Sequence, residues 1–142
     1  VWTAFFSHTG QMSFPALSET DRCPCLSGDT YQHCCRRFHA GTSPAPTAEA
    51  LMRSRYTAFV TGDTDYLVRT WHPSSRPAHL DLDPEMNWRR LDIVSSVAGS
   101  PLDSTGTVTF EAHYRQDGAA GVQRERSTFV REAGRWLYVA GE

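Results

Sequence analysis

Lysine is missing from this sequence altogether, and its 14 basic residues are all arginine. That excludes Schiff-base chemistry and any phosphate loop that relies on a lysine. Asparagine occurs once, as Asn87, and the chain has neither a Gly-rich phosphate loop nor a Gly-x-Ser-x-Gly nucleophile turn. No two carboxylates share a motif. No apolar stretch approaches the ~20 residues of a membrane-spanning helix, so no membrane partner is expected. The net charge is −2 and no basic run is long enough for a nucleic-acid footprint, which argues against a specific nucleic-acid partner. A chain of 142 residues can bury roughly two-thirds of the surface its unfolded form exposes, enough for one core with a small appendage.

Cysteine is also absent from most of the chain. None follows Cys35, and the 4 present fall within Cys23-Pro24-Cys25-Leu26-Ser27-Gly28-Asp29-Thr30-Tyr31-Gln32-His33-Cys34-Cys35. A disulfide framework would spread its cysteines to staple distant loops, and neighbouring cysteines bridge badly. Cys-x-Cys followed by Cys-Cys instead offers four soft ligands around one compact turn. Zinc prefers that set, because thiolates bind it tetrahedrally at ~2.3 Å. Cys23, Cys25, Cys34 and Cys35 would close the site, so the zinc would be structural. His33 and His39 are alternative ligands, and the fourth position stays open between them and a cysteine. Pro24 stiffens the first pair, and Gly28 can take the positive φ of a turn. Ser27 or Asp29 can cap a short helix that delivers Cys34 and Cys35 from its last turn. Thiolates held for a metal, with no basic-flanked apolar leader around Trp2, Phe5 and Phe6, point to the cytoplasm.

The run Cys23-Pro24-Cys25-x-Ser27-Gly28-x-x-Tyr31-x-x-Cys34-Cys35 resembles the SEC-C motif, a small zinc module named after the C-terminal end of the SecA translocation ATPase. Pro46-Thr47-Ala48-Glu49-Ala50-Leu51-Met52-Arg53-Ser54-Arg55-Tyr56, with Thr70-Trp71-His72-Pro73-Ser74 further on, is similar to the bacterial YchJ family. The resemblance runs from about Cys23 to the C-terminus. It implies a zinc module over residues 23–39, a linker over 40–46, and a cone-shaped, nuclear-transport-factor-2-like (NTF2-like) α+β domain over 47–142. It implies no particular activity. Members of that family begin close to the first cysteine, so Met12 is the expected start. Residues 1–22 are then an extension, expected to be poorly ordered. Similar zinc modules in SecA contact a chaperone partner and the ribosome.

The periodicities give the same outline. After Pro46, Thr47 can cap a helix whose stripe is Ala48, Leu51, Met52, Tyr56 and Phe59, with Arg55 in its middle. Gly62 should end it and Asp63 cap a second helix running to Trp71, before Pro73. Residues 74–85 read as loop, with one short turn at 79–83. The period then changes to 2, and residues 88–97, 106–116, 121–131 and 135–140 read as strands. Gln116-Asp117-Gly118 and Glu132-Ala133-Gly134 are hairpin signals. Helices on one face of a curved antiparallel sheet follow, the α+β class. Leu91 and Ile93, then Phe110, Ala112 and Tyr114, then Glu125, Ser127 and Phe129 should face inward. The last strand, with Trp136 and Tyr138 on one face and Leu137 and Val139 on the other, reads as buried on both sides.

Four side chains are candidates for a pocket: Arg55, Tyr56, His72 and Glu125. Arg55 and Glu125 are sent by two independent periodicities toward one interior, where lone charges cost several kcal/mol, so they are expected to pair. That pair is either the polar floor of a cavity or a structural ion pair. His72, at a helix end, is either a general base or a cap on helix carbonyls. His113, with Glu111 and Arg115, is read as solvated or as a homodimer surface on the sheet. The primary expectation is a non-catalytic protein whose zinc module, with Arg36, Arg37 and His39 outward, contacts an acidic protein partner or ribosomal RNA. The alternative is a small-molecule-binding or SnoaL-like isomerase or dehydratase domain. Few contacts are expected across Pro44-Ala45-Pro46, so the zinc module and the domain should unfold separately.

Overall fold

The structure is a computed structural model and describes residues 14–142. Among them, a 3-10 turn at Tyr31–His33 leads into α1 (Cys35–His39), α2 (Ala48–Thr61) and α3 (Thr64–Arg69). Four strands follow: β1 (Asn87–Ala98), β2 (Thr105–Gln116), β3 (Ala119–Glu132) and β4 (Arg135–Gly141). They form one antiparallel sheet in the order β1-β2-β3-β4, and α2 lies across β1, β2 and β4. This is the α+β arrangement the sequence predicts.

Local chemistry sets the helix ends. The Thr47 hydroxyl accepts from the Ala50 N–H at 3.0 Å, and Asp63 accepts from the Tyr66 N–H at 3.1 Å. Gly62 ends α2 with φ of 75° and lies beneath the Phe14 ring, where a Cβ would collide. The second helix stops at Arg69, two residues before the predicted Trp71. Tyr138 N–H donates to Thr70 O and His72 N–H donates to Tyr138 O, each at 2.8 Å, so the backbone leaves the helix to pair with β4. The expected turn at 79–83 forms later, where Met86 N–H donates to Asp83 O, and Leu80 and Leu82 tuck into the core.

Both predicted hairpins form, with positive φ at Asp117, Gly118, Ala133 and Gly134, the twist that two-residue turns require. Val108, Phe110, Ala112, Glu125, Ser127, Phe129, Trp136 and Tyr138 are buried on the inner face. Leu137 and Val139 are half-buried, so the back of β4 is less covered than expected. A register shift between Trp88 and Arg90 puts Trp88 opposite Tyr114 and Leu91 opposite Ala112, so two residues three apart both reach the core.

Residues 14–22, part of the stretch expected to be loose, are tied to the cysteine hairpin: Gln32 N–H donates to Glu19 O, Tyr31 N–H to Asp21 O, and Arg22 bridges Thr30. The expectations for residues 1–11 and for Met12 lie outside the described residues. Among the described residues, no helix is long and apolar enough to cross a membrane.

Candidate metal centre and the buried polar cluster

Cys23 and Cys25 sit on a tight hairpin closed by the Cys23 N–H on Asp29 O at 2.9 Å, with Leu26 and Gly28 both at positive φ. Cys34 and Cys35 straddle the junction between the 3-10 turn and α1, not the last turn of a helix. Neither Ser27 nor Asp29 caps that turn; Thr30 is its N-cap, and Ser27 Oγ lies 3.1 Å from Cys34 Sγ. All four cysteines are buried, and their sulfurs lie within 4.8 Å of one another. Cys25 and Cys34 are 3.6 Å apart and Cys34 and Cys35 3.9 Å. A tetrahedron with ~2.3 Å metal–sulfur bonds has edges of roughly 3.8 Å, whereas a disulfide closes to ~2.05 Å. The cluster can therefore hold a metal ion. Buried and packed this closely, four thiols cannot all ionise on their own, because each thiolate would face the charge of its neighbours. A divalent cation removes that conflict, because every thiolate then faces positive charge.

The histidines stand apart from this set. His33 is exposed. His39 accepts from the Tyr31 hydroxyl at Nδ1 and donates from Nε2 to Ser54 O, both at 2.8 Å, so the neutral ring is fully used. It also packs 4.5 Å from the Tyr66 ring. Around it the hairpin and the domain interlock. Cys23 Sγ lies 3.7 Å from the Thr57 hydroxyl, Arg53 donates to Cys25 O, and Arg69 donates to His39 O at 2.6 Å and Phe38 O at 3.3 Å. The cysteines belong to the same hydrophobic cluster as Phe110 and Tyr138. Instead of the few contacts expected across the Pro44-Ala45-Pro46 linker, the hairpin and the domain share a packed junction. Sequence reasoning missed Ser54 and Thr57, buried on the second face of α2; their signal is a Ser54, Thr57, Ala58, Thr61 stripe at helical spacing.

Burial lowers the His39 pKa below its ordinary 6.5. Protonation is then easier in the unfolded chain, so the stability His39 contributes is present above about pH 6.5 and lost as pH falls below it. His39→Gln should cost about 1–3 kcal/mol at pH 7.5 and less at pH 5.5. Urea midpoints at the two pH values check this; an equal loss at both would show that His39 carries no such linkage.

The four pocket candidates separate. Arg55 and Glu125 are both buried, as two periodicities predict, but the ion pairs among the described residues do not include one between them. Arg55 Nη1 donates to Leu67 O at 2.8 Å and Thr70 Oγ1 at 2.7 Å, and the guanidinium lies over the Trp71 and Tyr138 rings at 5.1 and 4.6 Å. Burial pulls its pKa down to about 10, leaving it charged at neutral pH. Glu125 Oε2 accepts from Ser127 at 2.6 Å and from the Tyr138 hydroxyl at 3.3 Å. Tyr138 therefore stands between the charges. The carboxylate also lies against Gly141, where a Cβ has no room. Tyr56 is buried, its ring edge-on to Trp88, and burial raises its pKa above the usual phenol range. His72 turns away, bonding Ser74 at Nδ1 and Glu132 at Nε2.

A second cluster, Asp92, Glu111 and His113, lies half-buried on the sheet, but Arg90 and Arg124 already partner its carboxylates. A cavity of about 110 Å³ opens where α1, the linker, α3 and β4 meet, and none of Arg55, Tyr56, His72 or Glu125 lines it.

Comparison with known proteins follows the same division. Residues 47–141 match the family described as YchJ, middle NTF2-like domain, and residues 20–37 match the SEC-C motif. A UPF0225 protein of Streptomyces coelicolor is 57% identical over 123 residues, covering 87% of this chain and 96% of that protein. A UPF0225 protein of Corynebacterium efficiens is 54% identical over 121 residues, covering 85% and 92%. The solution structure of a SEC-C motif containing protein from Rhodopseudomonas palustris is similar, with a TM-score of 0.75, 37% identity, and coverage of 84% and 96%. The crystal structure of a SEC-C motif containing protein from Psychrobacter arcticus gives 0.70, 28%, 86% and 82%.

Proposed function

The chain belongs to the YchJ-like family, with a SEC-C motif ahead of an NTF2-like domain, and we propose that it is a zinc-dependent, non-catalytic interaction module of the cytoplasm. The observation that carries this reading is the four-thiol cluster, whose spacing suits a tetrahedral ion and whose ligands are all protein atoms, with no position left for substrate. Zinc on Cys23, Cys25, Cys34 and Cys35 would supply cross-linking and charge neutralisation. The chain's own residues then hold α1 against α2 and α3, with Arg36 and Arg37 exposed beside the ligand pair. The partner would be a protein.

The test uses tagged full-length protein in bacterial extract, with and without a chelator, beside a Cys25→Ser/Cys34→Ser variant. Purified protein should carry one zinc per chain, and its partners should be lost on chelation and in the variant. Zinc-free protein with four freely titratable thiols, or partners indifferent to both treatments, would overturn the reading.

One observation favours a ligand-binding interior instead. Arg55 Nε and Nη2 and Trp71 Nε1 are buried without a partner among the described residues, and a small carboxylate would satisfy such donors. Saturable thermal stabilisation by acetate or benzoate, lost in Trp71→Phe, would support that alternative.

A further inference from the structure

We propose that the crevice between α1, the linker and β4 is the docking site itself, and that it takes one apolar side chain from an acidic, extended protein segment. The inference rests on the interaction-module reading above and names its surface and the partner's chemistry. Its size comes first. At about 110 Å³ the crevice is well below the ~300 Å³ of the smaller ligand pockets. That suits a single side chain rather than a metabolite.

Its chemistry selects what flanks that side chain. Phe38, Pro44, Leu51, Trp136 and Leu137 supply an apolar lining, and the charged lining residues are Arg69 and Arg135, with no acidic residue. Arg69 is pinned by the Phe38 and His39 carbonyls and stacked 4.8 Å over Tyr66, so its charge is fixed at the wall. Arg135 is exposed, and its guanidinium makes no hydrogen bond or ion pair among the described residues. Two cations without a carboxylate favour acidic groups on either side of an apolar anchor. A nucleic-acid backbone would use the cations but not the slot.

The crevice also exists only in the assembled chain. Phe38 follows the cysteine pair, Pro44 lies in the linker, and Trp136 is held by its indole N–H on Pro46 O at 3.2 Å. Each wall comes from a different part of the fold.

The experiment titrates metal-loaded, full-length, isotopically labelled protein with a blocked heptapeptide of glutamates around a central leucine. Saturable amide shifts are expected at Gly41, Ser43 and Leu137 and at the Trp136 indole. Replacing the leucine by glycine, or the protein's Arg135→Glu, should weaken binding at least about tenfold. Arg126→Glu, at an exposed position of β3, should not. No saturable binding, shifts centred elsewhere, equal binding of a lysine analogue, or tighter binding of an oligouridine RNA would each overturn the proposal. A chelator-sensitive partner that ignores Arg135→Glu would overturn the crevice and leave the interaction-module reading standing. Absence of zinc would overturn that reading whatever the peptide does.

Discussion

Removing the proposed metal should destabilise the whole chain in one cooperative transition, not merely loosen its N-terminal hairpin. The four cysteines are not hung on a flexible tether. Cys23 touches Thr57 on α2, Arg53 reaches Cys25 O, His39 bridges Tyr31 to Ser54, and Arg69 holds the end of α1. Without an ion, four buried sulfurs within 4.8 Å of one another must stay protonated or repel as thiolates, at a position continuous with the main core. Structural zinc contributes an apparent ~10–16 kcal/mol in small modules, comparable with the ~5–15 kcal/mol total stability of a domain. The midpoint should fall by more than about 20 °C, at roughly 3–5 °C per kcal/mol for this size. Far-ultraviolet and tryptophan signals should change together. A chelated chain that still melts within a few degrees, with only residues 20–39 losing amide protection, would restore the separable module and remove this account.

The packed junction of hairpin and domain marks where the sequence stops being legible. Thr47, Gly62 and Asp63 announce α2 and the start of α3 because each acts on backbone within four residues of itself. The hairpins at Asp117-Gly118 and Ala133-Gly134, and the inward parity of Glu125, Ser127 and Phe129, are equally local. The cysteine cluster is legible because a spacing pattern states its ligands outright. The docking of the hairpin is not, because its contacts are small and polar: Ser54 and Thr57 look like solvent-facing helix positions until a second layer covers them. The end of α3 fails for the same kind of reason. Its last turn competes with a backbone pairing to Tyr138, which only the assembled sheet supplies. The direct Arg55–Glu125 pair fails because periodicity gives the face a side chain shares, not the aromatic ring that stands between two of its members.

Arg55→Met should cost about 3–5 kcal/mol, the range for removing one member of a buried charged set. The guanidinium is wholly buried, satisfies Leu67 O and Thr70, and lies over two aromatic rings. Methionine fills similar volume but offers no donor and no charge, so the Leu67 carbonyl loses this bond and Glu125 loses its nearby cation. Glu125→Gln should cost less, about 1–3 kcal/mol, because the amide oxygen can still accept from Ser127. The double change should cost less than the two singles added together, by about 1–2 kcal/mol. The route of that coupling is the sharper claim. Tyr138 offers its ring to Arg55 and its hydroxyl to Glu125, so Tyr138→Phe keeps the first contact and deletes the second. In the Tyr138→Phe background the Arg55–Glu125 coupling should drop by at least half, since a hydrogen bond polarised by both charges is gone. Urea denaturation of the eight combinations measures it. Simple additivity within about 0.5 kcal/mol would show that the two charges are not coupled. Coupling unchanged by Tyr138→Phe would show that they act on each other directly, as the strand and helix periodicities alone would have it.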